Sequence, residues 1–368
     1  MTQHPSAPPA HGTRGFAPAL AASAMLALLL LSGCGKSGTS PGTPTPRNYR
    51  MGFAANAPRY EFDLLLAALE MWTRRADAAL IGGEAPWDSL LAGTPAADYV
   101  RRQHVPLAQY YRGKGLRLWV YLDPANGLNR AAEAPALLAA GRSLTEPAIQ
   151  QLYRDYAVAC DTLLHPDVFG VALETNLIRW LSPPALYQAV RQVANDAAAD
   201  IRALDAGVRL SSSIQVETAW GVLGVGPGYQ GIEQDFTDFP YMQVLGLSSY
   251  PYFTWAAPDS LPADYYSRLL NGRGIAVGIT EGGWTSEGFG GIVSSPAQQQ
   301  RYIERQAQLL DGVNAAGWFM LTFTDIEVNS VPQGQALAPF SRTGLVDTTL
   351  AAKPALSAWD AIFARPLR

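Results

Sequence analysis

Short apolar segments alternate with longer amphipathic segments from residue 48 to residue 368, and this alternation constrains the fold more than any other feature. Continuous apolar strands separated by helices indicate a parallel sheet, because each parallel strand needs a long crossover connection to reach the next. The predicted strands are 50–54, 78–82, 116–122, 168–174, 208–215, 243–249, 274–280 and 317–323. The predicted helices are 60–75, 97–113, 146–163, 184–205, 263–271, 297–315 and 353–364.

Eight strand–helix units in about 320 residues predict a single (β/α)8 barrel of the TIM type. No composition shift marks a second domain boundary between residues 48 and 368. The runner-up is an open doubly wound sheet, but no Gly-rich phosphate-binding turn follows the first predicted strand. We therefore expect one α/β domain over 48–368, with its functional groups at the carboxyl ends of the strands.

The first 33 residues are predicted to be an export signal. An apolar run, 17–32, follows Arg14 and ends in the sequence LSGC at 31–34. LSGC resembles the bacterial lipobox, which implies cleavage before Cys34, a diacylglycerol on its sulfur and an acylated N-terminus. By the same resemblance, Gly35 in the next position implies that the lipoprotein is sent to the outer membrane, if the host has one. The alternative is an uncleaved membrane anchor.

Residues 34–47 are predicted to be the lipidated cysteine and a flexible tether. Gly, Ser, Thr and Pro dominate this segment, and it has too little apolar surface to fold. Gly35-Lys36-Ser37 imitates the end of a phosphate-binding loop, but the motif needs glycine where Leu30 stands. We expect an exported protein that is held to the cell envelope by the lipid on Cys34.

Two predicted strands end on glutamates. The fourth strand ends at Glu174 in the sequence GVALETNLI, and the seventh is followed by Glu281 in ITEGGW. Strands four and seven face each other across the mouth of an eight-stranded barrel. Two carboxylates there suit glycoside hydrolysis, and a separation of about 5–5.5 Å is typical of retention. The alternative is that each glutamate only caps a strand or forms a salt bridge.

The paired glutamates resemble those of the clan-A retaining glycoside hydrolases, and the resemblance covers 48–368. ITEGGW is similar to their nucleophile segment, LGLSSYPYF (245–253) to their sixth strand, and GLVDTTLAAKPALSAW (344–359) to a closing segment found in several of them. Endo-β-1,4-galactanases and β-glucan hydrolases are the most similar in style. The resemblance implies that Glu174 is the acid/base, that Glu281 is the nucleophile and that Tyr250 hydrogen-bonds it.

One position departs from the clan-A pattern, which places Asn directly before the acid/base. Position 173 is Leu, and Asn176 follows Glu174 by two residues. If both residues lie in one strand, their side chains point to the same side, and Asn176 supplies the inward amide. The full set of predicted substrate-binding residues is Trp87, Asn176, Tyr250, Tyr252, Trp284 and Asp325.

Aromatic residues are plentiful, and several follow predicted strands. The chain has 9 Trp and 16 Tyr, whose flat faces can stack on sugar rings. Trp87, Trp220, Trp255 and Trp284 are candidates for such stacking, and core packing is the alternative for each. Spare carboxylates after the second and fifth strands are Glu84 and Glu217, and other polar groups near strand ends are Asp123, Asn126, Gln215 and Thr324.

Other chemistries lack the required residues. The domain over 48–368 has two histidines, His104 in a predicted helix and His165 before the fourth strand, which argues against a His-based metal site or a Ser-His-Asp triad. Cys160 lies in an apolar helical pattern and is predicted to be a buried, inert thiol. The formal net charge of −4 gives no basic footprint for nucleic acid. We expect no cofactor and no metal.

The sequence therefore predicts a membrane-anchored enzyme that hydrolyses β-linked poly- or oligosaccharides with retention. A rival from another class is a non-catalytic carbohydrate-binding envelope lipoprotein on a degenerate barrel. A third possibility is an envelope-assembly or scaffolding lipoprotein, which predicts no sugar-sized cleft at the strand ends.

Overall fold

The computed structural model of the chain describes residues 45–332 and 334–368. The predicted signal segment, Cys34 and the tether up to residue 44 lie outside the described residues. Across the two described ranges, no helix combines the length and the apolar character needed to cross a membrane.

Eight parallel strands close into a barrel in chain order, which confirms the predicted (β/α)8 fold. Closure excludes the open doubly wound sheet, because the first strand pairs with the last through Arg50–Gly317 to Phe53–Met320. The strands are β1 Arg50–Ala54, β2 Ala78–Glu84, β3 Arg117–Asp123, β4 Val168–Gly170, β5 Arg209–Gln215, β6 Val244–Ser249, β7 Ala276–Gly282 and β8 Ala315–Met320.

Helices surround the barrel and cover its outer face. Most of the long predicted helices are confirmed within a few residues, but 263–271 forms only one short turn of helix. The predicted helix 97–113 is divided near His104, because Pro106 cannot donate the backbone hydrogen bond that a continuous helix needs. The helices are α1 Phe62–Trp72, α2 Trp87–Leu91, α3 Ala96–Gln103, α4 Val105–Gly113, α5 Pro135–Ala139, α6 Pro147–Leu164, α7 Thr175–Leu181, α8 Pro184–Leu204, α9 Val216–Ala219, α10 Glu233–Asp238, α11 Ser267–Leu270, α12 Pro296–Asp311, α13 Gly334–Leu337 and α14 Pro354–Phe363.

Aromatic side chains plug the inside of the barrel. Trp119 and Tyr121 stack with ring centroids 6.3 Å apart, and Phe319 packs against Trp119 at 5.1 Å. Glycines on facing strands make room for these rings: a Cβ on Gly170 would lie 2.2 Å from the Tyr121 ring, and one on Gly278 would lie 2.5 Å from Trp119. The barrel interior is therefore a packed core directly below the strand ends.

The fourth strand is shorter than predicted, and this corrects the local geometry around Glu174. β4 ends at Gly170, although Val171 and Ala172 still share backbone hydrogen bonds with β5. Glu174 then adopts a left-handed backbone conformation (φ 48°, ψ 45°) and precedes α7. The apolar run GVAL cannot reveal this turn, because short apolar runs fit a buried strand or a buried helix equally well.

Candidate active site

Glu174 lies at the carboxyl end of the barrel, and contacts hold both of its carboxylate oxygens. The Ser248 hydroxyl, from β6, donates to Oε1 at 2.6 Å, and the Arg130 guanidinium donates to Oε2 at 2.8 Å. The Glu174 backbone N–H donates to the Ser213 hydroxyl, from β5, at 3.0 Å. A left-handed non-glycine residue costs roughly 1–3 kcal/mol of strain, and such strain is concentrated at functional sites. The chain therefore fixes this carboxylate closely.

Glu281 lies within β7, one residue beyond the predicted strand end, and it lies beside the same serine. Its Cα pairs with that of Ser248 in the β6–β7 register. Since paired residues of neighbouring strands point to the same side, Glu281 and Glu174 lie on either side of Ser248 at the barrel mouth. The Tyr250 hydroxyl donates to Glu281 Oε1 at 2.5 Å.

The two carboxylates affect each other electrostatically. Burial raises the pKa of Glu281 from 4.5 to about 7, and the nearby charge of Glu174 acts in the same direction. The hydrogen bond from Tyr250 lowers the pKa of Glu281, and so does the charge of Arg130, but these effects are smaller. The Glu174 carboxylate is also ion-paired with Arg130.

Arg130 is a residue of the site that sequence reasoning missed. It lies in the loop after β3, is 6 % exposed, and bridges Glu174 to Asp123, whose Oδ2 is 2.5 Å from the guanidinium. Burial raises the pKa of Asp123, and Arg130 opposes this effect. The loop has no hydrophobic periodicity, so only the spatial arrangement reveals this arginine.

Three predicted sugar-contacting aromatics belong to the core or its edge. Trp87 is 1 % exposed and packs 6.2 Å from Tyr153, and Trp284 is fully buried with its indole N–H donating to the Ser294 hydroxyl. Tyr252 is buried and donates to the Pro339 carbonyl. Without an exposed ring face, neither Trp87 nor Trp284 can stack on a sugar in this conformation.

Trp220 and Trp255 remain as partly exposed aromatics near the β5 and β6 ends. Their rings pack edge to face with centroids 6.3 Å apart, and the Trp220 indole donates to the Tyr265 carbonyl. The Arg268 guanidinium lies 5.0 Å from the Trp220 ring centroid. These two tryptophans keep some surface for a ligand, unlike Trp87 and Trp284.

Asn176 does not lie in a strand beside Glu174, which corrects the sequence expectation. It is in the first turn of α7 and 1 % exposed. Its amide nitrogen donates to the Gln215 carbonyl at 2.8 Å, and its oxygen accepts from the Gln215 N–H at 2.8 Å. Asn176 therefore ties α7 to the end of β5, and its amide is occupied by backbone.

The remaining predicted carboxylates also form internal contacts. Asp325 is 1 % exposed, and the Lys353 ammonium lies 2.5 Å from it. Burial raises the pKa of Asp325 to about 6, and Lys353 opposes the shift. Glu217 is fully buried and accepts from the hydroxyls of Ser249 and Tyr265. Glu84 is exposed at the end of β2, and partial burial of its carboxyl raises its pKa to about 7.

A cavity of about 500 Å³ opens at the same end of the barrel, between the segments that follow β1 and β8. Its polar side chains bond within the protein: Asn56 to Thr324, and Arg59 to Glu61 and Glu327. The cavity is therefore mainly apolar. Its lining is Ala55, Asn56, Ala57, Arg59, Tyr60, Glu61, Phe62, Leu65, Ile326, Val331 and Leu337. Among residues 45–332 and 334–368, no group of three or more His, Cys, Asp or Glu side chains is placed to bind a metal ion.

Solved structures that resemble this barrel include glycoside hydrolases. An exo-β-1,4-mannosidase from Opitutaceae bacterium strain TAV5 has a TM-score of 0.63 and 16% identity, with 86% of this chain and 59% of that chain covered. A GH53 catalytic domain from Ignisphaera aggregans has a TM-score of 0.58 and 13% identity, with 88% and 98% covered. Fungal β-1,4-galactanases have a TM-score of 0.54 and 12% identity, with 84% of this chain and 98% of that chain covered.

These likenesses show a shared fold, because the identities are low. No protein-family model and no curated protein sequence matches the chain. The chain therefore shares the (β/α)8 barrel fold of these proteins, and its chemistry has to be argued from its own residues.

Proposed function

We propose that the chain hydrolyses β-glycosidic bonds of a poly- or oligosaccharide with retention of configuration. The observation that carries this proposal is the meeting of Glu174 and Glu281, from strands on opposite sides of the barrel, on either side of Ser248. Two carboxyl groups on opposite sides of a scissile bond are the groups that retaining hydrolysis needs. The glycoside hydrolases with the same fold support the assignment.

In the proposed first step, ionised Glu281 attacks the anomeric carbon, and the glycosidic C–O bond breaks. Glu174 gives its proton to the leaving oxygen, so that the sugar remains as an ester of Glu281. In the second step, Glu174 takes a proton from water, the water oxygen attacks the anomeric carbon, and Glu281 leaves as a carboxylate. Tyr250 donates to Glu281 and positions it for attack.

The proposal is tested by a screen of purified protein against aryl β-glycosides and soluble β-1,4-linked glycans. We expect wild-type protein to release product from at least one β-linked substrate, and Glu281→Ala to release none. Binding of a glycan by both proteins with turnover by neither would instead support the non-catalytic carbohydrate-binding alternative. Isothermal calorimetry on the same glycans distinguishes these outcomes.

We also propose that the protein is exported and held to the envelope by a lipid on Cys34. The apolar run 17–32 and the following LSGC support this proposal. We expect wild-type protein to sediment with membranes and to become soluble after a lipase or detergent treatment. Cys34→Ala is expected to lose the lipid, as measured by the mass of the N-terminal peptide. An unmodified cysteine in the wild-type peptide would overturn the lipid anchor.

A further inference from the structure

Arg130 is the cation in direct contact with Glu174, and both side chains are nearly removed from solvent. Arg130 is 6 % exposed, Glu174 is 8 % exposed, and Asp123 on the other side of the guanidinium is 1 % exposed. The contacts run from Asp123 through Arg130 to Glu174 and end at the Ser248 hydroxyl. A buried ion pair of this kind strongly favours the ionised form of the carboxylate, because breaking it leaves a charge without a partner.

The two proposed steps need opposite protonation states of Glu174. Formation of the glycosyl ester needs a protonated Glu174, whereas hydrolysis of the ester needs an ionised Glu174 that can accept a proton from water. A pair that shares one proton has two arrangements, with the proton on Glu174 or on Glu281. The Arg130 guanidinium contacts the Glu174 carboxylate directly, at 2.8 Å.

We propose that Arg130 is a positioning residue that stabilises ionised Glu174, and so speeds hydrolysis of the glycosyl ester at the expense of its formation. This inference rests on the proposed function. A protein that uses its ester intermediate quickly but forms it slowly spends little time in the intermediate state.

Other charged groups face the pair from the neighbouring strands. Asp123 and Glu84, at the ends of β3 and β2, are anionic when ionised, and Glu281 on β7 is the second member of the pair. Tyr250, directly after β6, is neutral, because burial and Glu281 raise the pKa of its hydroxyl. Arg130 opposes this local excess of negative charge at the point where it touches Glu174.

The kinetic test compares Arg130→Met with Arg130→Lys on two leaving groups. With a 2,4-dinitrophenyl β-glycoside, which needs no proton to leave, kcat reports hydrolysis of the ester. With an alkyl β-glycoside, kcat/KM reports its formation. For Arg130→Met we expect kcat on the dinitrophenyl glycoside to fall about tenfold and kcat/KM on the alkyl glycoside to rise about tenfold. Arg130→Lys keeps the charge and should move both values back towards wild type.

A loss of both values in the same proportion would overturn the proposal, because it would show a purely structural role. If Arg130→Met does not fold, the double variant Asp123→Asn/Arg130→Met is compared with the wild type in its place. This variant removes the buried charges of both Asp123 and Arg130. The expected opposite changes are the same for this variant.

A second readout does not depend on turnover. Carboxyl ¹³C signals of labelled glutamate report ionisation directly, and Glu174→Gln assigns the Glu174 signal by its disappearance. We expect the Glu174 signal of Arg130→Met to move towards that of a protonated carboxyl group, relative to the wild-type signal at the same pH. This result without turnover would overturn the proposed function and leave the effect of Arg130 on the Glu174 carboxylate intact. An unchanged Glu174 signal with normal turnover would overturn the role of Arg130 alone.

Discussion

Glu281→Ala is expected to lower hydrolysis at least about 10³-fold, with azide restoring turnover and producing an α-glycosyl azide. The alanine removes the nucleophile and leaves a space in which azide can attack the anomeric carbon from the same face. A single displacement inverts the configuration of a β-linked substrate. Product configuration by ¹H NMR and the rate on a dinitrophenyl β-glycoside measure both effects.

Glu174→Ala gives the complementary result. Its ester still forms from an activated substrate, because that leaving group needs no proton, and azide then attacks the ester to give a β-glycosyl azide. Glu287→Gln is the matched control, since this exposed glutamate lies six residues after Glu281 and is ion-paired with Arg342 on the surface. Near wild-type rates in either alanine variant would contradict the two-glutamate assignment, and exchanged azide products would reverse the two roles.

Glu281→Gln is expected to stabilise the folded protein above pH 7. The pKa of Glu281 is about 7 in the folded protein and 4.5 in its unperturbed state. Between these values the folded state binds more protons than the unfolded state, so wild-type stability falls as the pH rises through this window. Above pH 7 the buried, ionised Glu281 lowers the free energy of unfolding by roughly 3 kcal/mol, at 1.36 kcal/mol per pKa unit. Glutamine keeps the shape and carries no charge.

Urea unfolding of the wild type and Glu281→Gln at pH 4 and pH 8 measures this effect. We expect equal unfolding free energies within about 1 kcal/mol at pH 4 and a higher value for the variant at pH 8. Glu287→Gln should differ little from the wild type at both values, because surface ion pairs contribute about 0–1 kcal/mol. A variant less stable than the wild type at pH 8 would contradict the raised pKa of Glu281.

The repeated strand–helix pattern was enough to predict the closed barrel, because parallel strands, crossover helices and an eightfold count leave few other arrangements. It also placed Glu174 and Glu281 at the carboxyl end of the barrel, although Glu174 lies four residues beyond the end of β4. The pattern could not show that the chain turns at Glu174, since the left-handed conformation of one glutamate leaves no periodic signal. For the same reason the pattern could not show that Asn176 lies in a helix and not in a strand with Glu174.

The burial of two tryptophans and the position of one arginine are two further features that the sequence pattern could not predict. A tryptophan after a strand can face the mouth or pack beneath a neighbouring helix, and Trp87 and Trp284 do the second. Arg130 meets Glu174 across 44 residues of sequence, and no local pattern marks that contact. Both depend on how loops pack in three dimensions.

The aromatic plug inside the barrel also affects the solvent around the glutamates. Trp119, Tyr121 and Phe319 fill the interior together with Leu173, which directly precedes Glu174. Water therefore reaches Glu174 from the mouth and not through the barrel. A substrate that covers the mouth completes a dry chamber, in which the effective dielectric constant falls and the attraction between Arg130 and Glu174 increases. If the protein hydrolyses glycans as proposed, longer chains should cover more of the mouth and lower the effective dielectric constant around the glutamates further.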